Sequence, residues 1–218
     1  MDTKPVPKFD FSSIPPEDLS DFTSLPWCQT LLDDATFTPI GNRSPRGKDP
    51  DNNRRTFFAQ TLWTESTIRA SQSFYKGFIA PERWSGQPRP VEAQKGPGEC
   101  RMLFSLGKGV SGGLQDFAHG GLMAMLLDET LGTPLFVQWA AGCVTAELTV
   151  KYEKPMPIPG VVLCRSWVEK TEGRKVWIKG VLEDGRGVVF ARDGVYEISW
   201  IGLLGQAVRV IVAGGVGS

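Results

Sequence analysis

The residues best suited to chemistry lie in one stretch, DFAHGGLMAMLLDETLG, at residues 116–132. It contains the one histidine of the chain, His119, followed directly by Gly120 and Gly121. The first N–H groups of a helix lack backbone partners and carry a partial positive charge. Glycines leave these groups uncovered, so a carbonyl oxygen that gains negative charge can approach them. The stretch therefore predicts an oxyanion-binding helix start; the alternative is that the glycines only shape the turn into the helix.

A carboxylate follows the apolar run and is the second candidate group. Asp128 can act as a general base on water or attack an acyl carbon directly. It follows His119 by nine residues, which in a helix is about 13.5 Å of rise and about half a turn. The two groups therefore cannot serve one functional group within a single chain. Two copies with antiparallel helices would bring them together, so we expect composite sites in a homodimer.

Each candidate also has a purely structural interpretation. The pair Asp128–Glu129 can be a solvated helix end, although the apolar run before it argues against this. A lone histidine more often caps a helix or fills a core than transfers protons, so we expect His119 to orient the helix start. A Ser-His-Asp triad lacks the GxSxG motif that would support it.

The elements around this stretch predict an α+β fold. Cys100, Met102, Phe104 and Leu106 alternate with other residues, which is typical of a half-buried strand. The helix, predicted from Gly120 to Leu131, is apolar all round and must be buried all round. Four strand candidates follow it, at 145–152, 161–170, 174–184 and 185–199. This order predicts an antiparallel sheet with one face covered by a single helix.

The chain divides into three parts by composition. Residues 1–55 are rich in proline and polar residues, and we expect an N-terminal extension that is partly irregular, with a short helix within 12–34. The folded domain is expected at 56–200. Residues 201–218 form an apolar tail of unassigned structure, interrupted by glycines and Arg209, which fits a membrane span poorly.

Charge and cysteine content exclude several classes of function. Lys+Arg and Asp+Glu both number 24, giving a net charge of zero, which argues against nucleic-acid binding. Four scattered cysteines and one histidine offer too few ligands for a zinc site, so we expect no metal. The same cysteines indicate reduced thiols and an intracellular protein, which we place in the cytoplasm with an organelle left open.

Three segments together resemble a known family. HGGLMAMLLDETLG, TAELTVKYEKPMPIPG and EGRKVWIKGVLEDGRGVVFARDGVYEI are similar to hotdog-fold acyl-CoA thioesterases of the phenylacetate-pathway and human thioesterase-superfamily type, especially fungal members. The resemblance covers about residues 56–200. It implies an antiparallel sheet wrapped around one long helix. It also implies dimers, or dimers of dimers, with shared active sites.

The resemblance also implies roles for individual residues. Asp128 corresponds to the catalytic carboxylate, and Gly121 to the backbone donor to the thioester carbonyl, with Gly120 and His119 beside it. Thr145 corresponds to a threonine that helps to hold the attacking water; the structural alternative is an ordinary β-branched strand residue.

Three further positions concern the binding of coenzyme A and a departure from the family pattern. Arg174 and Lys175 are candidates for binding the phosphates of coenzyme A, although a basic pair in a hairpin is more often simply solvated. Several relatives carry an Asn about six residues before the histidine as a second oxyanion donor. Here that position is Gly113.

The expected function is hydrolysis of an acyl thioester, with acyl-CoA as the substrate and a role in lipid metabolism. Coenzyme A enters as part of the substrate and no cofactor is expected. Three alternatives remain open: a non-hydrolytic acyl-CoA or acyl-carrier binding protein, a hotdog hydratase or dehydratase, and a partner acting on a carrier-bound polyketide.

Overall fold

The computed structural model describes residues 20–41, 57–77, 98–139, 143–172 and 175–200. Within these ranges the helices are α1 (Ser20–Thr23), α2 (Pro26–Leu32) and α3 (Gly120–Trp139), with a π-helical turn at Phe57–Leu62 and a 3-10 turn at Lys108–Val110. The strands are β1 (Thr38–Ile40), β2 (Ile68–Lys76), β3 (Glu99–Leu106), β4 (Cys143–Tyr152), β5 (Gly160–Glu172), β6 (Lys175–Glu183) and β7 (Val189–Trp200).

One antiparallel sheet holds all seven of these strands in the order β1-β2-β3-β5-β6-β7-β4. Helix α3 packs against β3, β4, β5, β6 and β7 on the inner face of the sheet. Its side chains Leu126, Leu127 and Leu131 are fully buried in the core between helix and sheet. The predicted α+β arrangement, a sheet wrapped around one central helix, is confirmed.

The inner face of strand β3 is buried as predicted, but its outer face is not exposed as predicted. Cys100, Met102, Phe104 and Leu106 all lie in the core beneath α3, as their alternation indicates. The prediction of a half-buried strand was wrong, because Leu103 on the opposite face is also fully buried. It belongs to a second apolar cluster that includes the residues Phe22, Cys28, Phe37, Ala70, Phe74 and Leu163.

Residues near the N-terminus cover this outer face of the sheet. Helices α1 and α2 lie within the segment where one short helix was predicted. Asp21 accepts a hydrogen bond of 2.6 Å from the Ser105 hydroxyl, and Asp34 pairs with Arg101 at 3.2 Å. Strand β1 then joins the sheet beside β2. The sheet therefore starts before residue 56, where the folded domain was expected to begin; residues 1–19 and the apolar tail at 201–218 lie outside the described ranges.

Helix α3 continues past its predicted end. The prediction stopped at Leu131, yet the helix runs through Gly132 and Pro134 to Trp139. Proline lacks the N–H that would bond the carbonyl four residues earlier. In this helix that carbonyl belongs to Thr130, and the buried Ser166 hydroxyl of β5 donates to it at 2.9 Å. A side chain from the sheet thus replaces the backbone donor that Pro134 lacks.

One side of α3 is incompletely covered, although we predicted burial all round. Gly121 is exposed, and Ala124, Met125 and Asp128 are half-buried. Ala124, Met125 and Asp128 follow Gly121 by three, four and seven positions, so the four residues form one stripe along the helix. We call them the open stripe; both Gly121 and Asp128, the two residues singled out for chemistry, belong to it.

A membrane-spanning helix is not found in the part of the chain that the structure describes.

The contact between Ser166 and the Thr130 carbonyl can be tested by a double-mutant cycle. Ser166→Ala should lower the free energy of unfolding by about 1–3 kcal/mol, because it leaves a buried carbonyl without a donor. Pro134→Ala restores the helical N–H and should remove most of that loss when the two changes are combined. Urea denaturation of the four proteins measures both effects. An equal loss from Ser166→Ala with either residue at position 134 would show that the hydroxyl does not compensate for the proline.

Candidate active site

The chain enters α3 through a loop that is held from two sides. The Ala118 N–H donates to the Met156 carbonyl at 2.9 Å, and the His119 N–H donates to the Val110 carbonyl at 2.9 Å. Met156 lies between β4 and β5, while Val110 ends the 3-10 turn after β3. Two parts of the fold far apart in sequence therefore fix the position at which α3 begins.

His119 caps the helix. Its Nδ1 accepts a hydrogen bond of 2.9 Å from the Gly121 N–H, and its carbonyl accepts bonds from Leu122 and Met123. An Nδ1 that accepts in a neutral imidazole leaves the ring proton on Nε2. A Cβ on Gly121 would lie 2.9 Å from this Nδ1, so any side chain at position 121 would push the imidazole away. The geometry places His119 in an orienting position at the helix start.

Tyr152 also contacts the helix start, and sequence analysis did not single it out for the site. Its hydroxyl donates to the Gly120 carbonyl at 3.0 Å. It is the last residue of β4, and the next residue, Glu153, accepts hydrogen bonds from Arg192. These bonds hold the pKa of the Glu153 carboxyl below its usual value. The available sequence signal was its place on the inward-facing side of an alternating strand, directly before a charged residue and a proline-rich turn.

Asp128 and Thr145 form the second part of the site. The Thr145 hydroxyl donates to Asp128 Oδ1 at 2.6 Å. Strict alternation would point Thr145 away from Ala146 and hence away from α3. The pairing of β4 with β7 shifts between Thr145 and Glu147, and such an irregularity can redirect a side chain. The shift explains how Thr145 reaches the helix.

The acidic pair lies in the middle of α3. Because the helix ends at Trp139, Asp128 and Glu129 are two to three turns from its end. Glu129 is 7% exposed, which rules out the alternative of a solvated helix end.

The structure brings the candidate residues together in two groups rather than one. His119, Gly120 and Gly121 form one group, and Asp128 with Thr145 forms the other. Gly121 and Asp128 share the open stripe, but seven residues of helix separate them by about 10.5 Å along the axis. A small group bound to the Gly121 N–H is therefore out of reach of Asp128 in the same chain.

The candidate residues for binding the phosphates of coenzyme A are Arg174 and Lys175. Arg174 lies outside the described ranges. Lys175 is exposed at the start of β6 and pairs with Ser199, which in turn pairs with Val144. Since neighbouring strands are about 4.8 Å apart, Lys175 lies at the same end of the sheet as Thr145.

Neither Cys28, Cys100 or Cys164 nor a cluster of metal ligands among the described residues belongs to either group. Cys28, Cys100 and Cys164 are buried and are not in disulfides, and burial raises the pKa of the Cys28 thiol to about 12. Among the residues that the structure describes, no three of the His, Cys, Asp and Glu side chains are grouped as metal ligands would be.

Comparison with known proteins shows similarity to one family over part of the chain. Residues 115–191, which include both groups, match the thioesterase superfamily. Acyl-coenzyme A thioesterase THEM4 of Xenopus laevis is 48% identical over 61 residues, 28% of this chain and 27% of that protein. THEM4 of Bos taurus is 25% identical over 147 residues, 67% of this chain and 59% of that protein. MIOREX complex component 3 of Saccharomyces cerevisiae is 32% identical over 100 residues, 44% of this chain and 36% of that protein.

In each case the match spans less than two thirds of the relative's length. The segment that matches holds the capped helix start, the open stripe and the edge strand with Thr145. Over this segment the chain is similar to the thioesterase superfamily, and its antiparallel sheet around one central helix is the arrangement of the hotdog fold.

Proposed function

We propose that this protein is an enzyme that hydrolyses an acyl thioester, with acyl-CoA as its substrate. The observation that carries the proposal is the hydrogen bond between Thr145 and Asp128 on the open stripe of an otherwise buried helix. A carboxylate at such a position is within reach of a ligand while its oxygen is held in place. Relatives named acyl-coenzyme A thioesterase support the choice of substrate.

The proposed reaction begins with water held by Asp128 and Thr145. Asp128 removes a proton from the water, and the resulting hydroxide oxygen attacks the thioester carbon. The Gly121 N–H stabilises the negative charge that develops on the carbonyl oxygen. The C–S bond then breaks, and the protonated Asp128 returns its proton to the leaving thiolate. The products are the free acid and the thiol, and no redox step is required.

The substrate carbonyl must first replace the imidazole on the Gly121 N–H. The side chain of His119 is exposed and can rotate away about its own bonds without disturbing the core. In the absence of substrate the cap satisfies an N–H donor that would otherwise lack a partner. This orienting role differs from that of the principal base in a hydratase, and it favours hydrolysis over that alternative.

A second copy of the chain is needed to complete each site. Among the described strands, β4 pairs with β7 alone, so its ten residues form a long open edge of the kind that invites another strand. Antiparallel pairing of two such edges through their middle would place Thr145 of one chain near the end of β4 in the other. That end carries Tyr152, which contacts Gly120. The proposed homodimer thus joins Asp128 of one chain to Gly121 of the other.

The remaining assignments follow from this arrangement. Lys175 lies at the same end of the sheet as Thr145, where it can bind a phosphate of coenzyme A, and Arg174 precedes it in sequence. The cytoplasmic location, and the choice between a dimer and a dimer of dimers, stay predictions from the sequence.

Asp128→Asn tests the carboxylate. Wild-type protein should release thiol from at least one member of an acyl-CoA series of increasing chain length. The variant should lose activity by about 100-fold or more, because an amide cannot accept the proton of water. A thiol-detecting reagent follows the reaction, and circular dichroism checks folding. Glu147→Gln, which removes an exposed carboxylate from β4, is the matched control and should keep full activity. Thioester binding without any thiol release by the wild type would instead favour the non-hydrolytic binding protein.

Thr145→Val and Thr145→Ser test the hydroxyl. Valine keeps the shape but removes the donor to the carboxylate, and kcat should fall by about 10- to 100-fold. Serine keeps the donor and should retain most of the activity. Steady-state kinetics measures both. Equal activity of the valine and serine variants would reduce Thr145 to an ordinary strand residue.

Co-expression of two inactive variants tests whether the sites are composite. Gly121→Pro removes the N–H donor and Asp128→Asn removes the base, so each homodimer should be inactive. If each site draws on both chains, mixed dimers contain one intact site. Random pairing should then restore about a quarter of the wild-type activity. Mixed dimers purified through two different affinity tags should show about half of the wild-type activity, because one of their two sites is intact. No recovery in them would show that both groups act from the same chain.

A further inference from the structure

We infer that Tyr152 is a positioning residue for the oxyanion donor. Its hydroxyl binds the carbonyl of the same peptide group whose N–H, on Gly121, is the proposed partner of the substrate carbonyl. The inference rests on the proposed function, and it assigns a role to a residue on the edge strand rather than on the catalytic helix.

The Gly120–Gly121 peptide is held at both of its polar atoms. The Gly120 oxygen accepts from the Tyr152 hydroxyl at 3.0 Å, and the Gly121 nitrogen donates to His119 Nδ1 at 2.9 Å. Because a peptide group is planar, fixing the direction of its oxygen also fixes the direction of its N–H. When substrate replaces the imidazole, Tyr152 is the contact that remains.

This peptide needs an external contact more than most. It lies between two glycines, and neither side has a Cβ to limit rotation of the backbone. The same glycines are what allow a substrate to approach the N–H closely. Tyr152 supplies from outside the helix the restraint that side chains at positions 120 and 121 would otherwise supply.

The hydrogen bond also affects the strength of the donor. A bond accepted by the carbonyl of a peptide polarises that peptide and makes its N–H a better donor. A carbonyl oxygen has two lone pairs, so Gly120 can accept from Tyr152 and still take part in the helix. Tyr152 therefore both aims and strengthens the Gly121 N–H.

The exposure and packing of Tyr152 show that it contacts the helix mainly through its hydroxyl and not through burial of its ring. Tyr152 is 51% exposed, so burial of its ring contributes little compared with a core aromatic. Its ring carbons and its hydroxyl lie 3.5–3.6 Å from the point where a Cβ on Gly120 would be, which is ordinary contact without overlap. The directed contact is the one made by the hydroxyl.

Tyr152 also gives β4 contacts with both parts of the site. Near one end of the strand Thr145 binds Asp128, and at the other end Tyr152 binds Gly120. The same strand forms the open edge at which a second copy is proposed to pair. Assembly of the proposed dimer and the positions of both groups of site residues thus depend on one strand.

Tyr152→Phe tests the inference, because it removes the hydroxyl oxygen and keeps the ring. In the full-length protein without ligand, the Gly121 amide proton should shift upfield and exchange faster with solvent. Glycine-selective ¹⁵N labelling and two-dimensional NMR measure both. In the thioesterase assay kcat should fall by about 3- to 10-fold, with KM changed by less than about twofold, since the contact acts on the charged state more than on bound substrate.

Thr149→Val is the matched control, because Thr149 is an exposed residue of the same strand that faces away from the helix. It should alter neither the Gly121 resonance nor kcat. The inference is wrong if the Gly121 resonance and its exchange rate stay unchanged in Tyr152→Phe. It is also wrong if both change while kcat does not. The NMR measurement requires no turnover, so failure of this contact can be distinguished from failure of the proposed hydrolysis, which an inactive wild type would reveal.

Discussion

An apolar helix in water needs cover on every side, and the arrangement of this fold follows from how α3 obtains it. Five strands supply the cover on most of its circumference. The side left incompletely covered is the open stripe, which carries Gly121, Met125 and Asp128. A protein that exposes part of its central helix gains a place where a ligand can approach rigid backbone and a held carboxylate. The same gap leaves apolar surface that a second copy of the chain can cover. The candidate site and the proposed assembly surface are therefore parts of one region.

The start of α3 and the spacing of its candidate groups were predictable from local patterns, while its end was not. The apolar run, the glycine pair and the carboxylate all lie within 17 residues, so spacing alone separates the two groups. The helix end depends instead on Ser166, which is 36 residues from the Thr130 carbonyl that it binds. No pattern around Pro134 reveals that a distant hydroxyl will replace its missing N–H, so the local sequence does not show that the helix continues past the proline.

Two other features depend on tertiary contacts that alternation cannot reveal. Alternation places Thr145 on the wrong side of β4, because it assumes regular pairing and the register shifts at this point. It also leaves Leu103 facing solvent, because the cover for that face comes from α1 and α2. These helices are attached by polar contacts as well as by Phe22 and Cys28, and the Arg101 guanidinium lies 3.7 Å from the ring of Phe37. Composition at the N-terminus indicated an irregular extension, whereas residues 20–40 pack on the sheet.

Strand β3 lies outside the segment that matches the superfamily, yet the fold of that segment depends on it. The segment that matches the superfamily, residues 115–191, contains helix α3 and β4 to β6 but neither β2 nor β3. Yet β3 lies between β2 and β5 in the sheet, and its Met102 and Phe104 fill the core beneath the helix. Without it, β5 would become an exposed edge and the helix would lose one wall. The segment that matches the superfamily is thus not a complete folding unit, because β3 supplies part of the core from outside it.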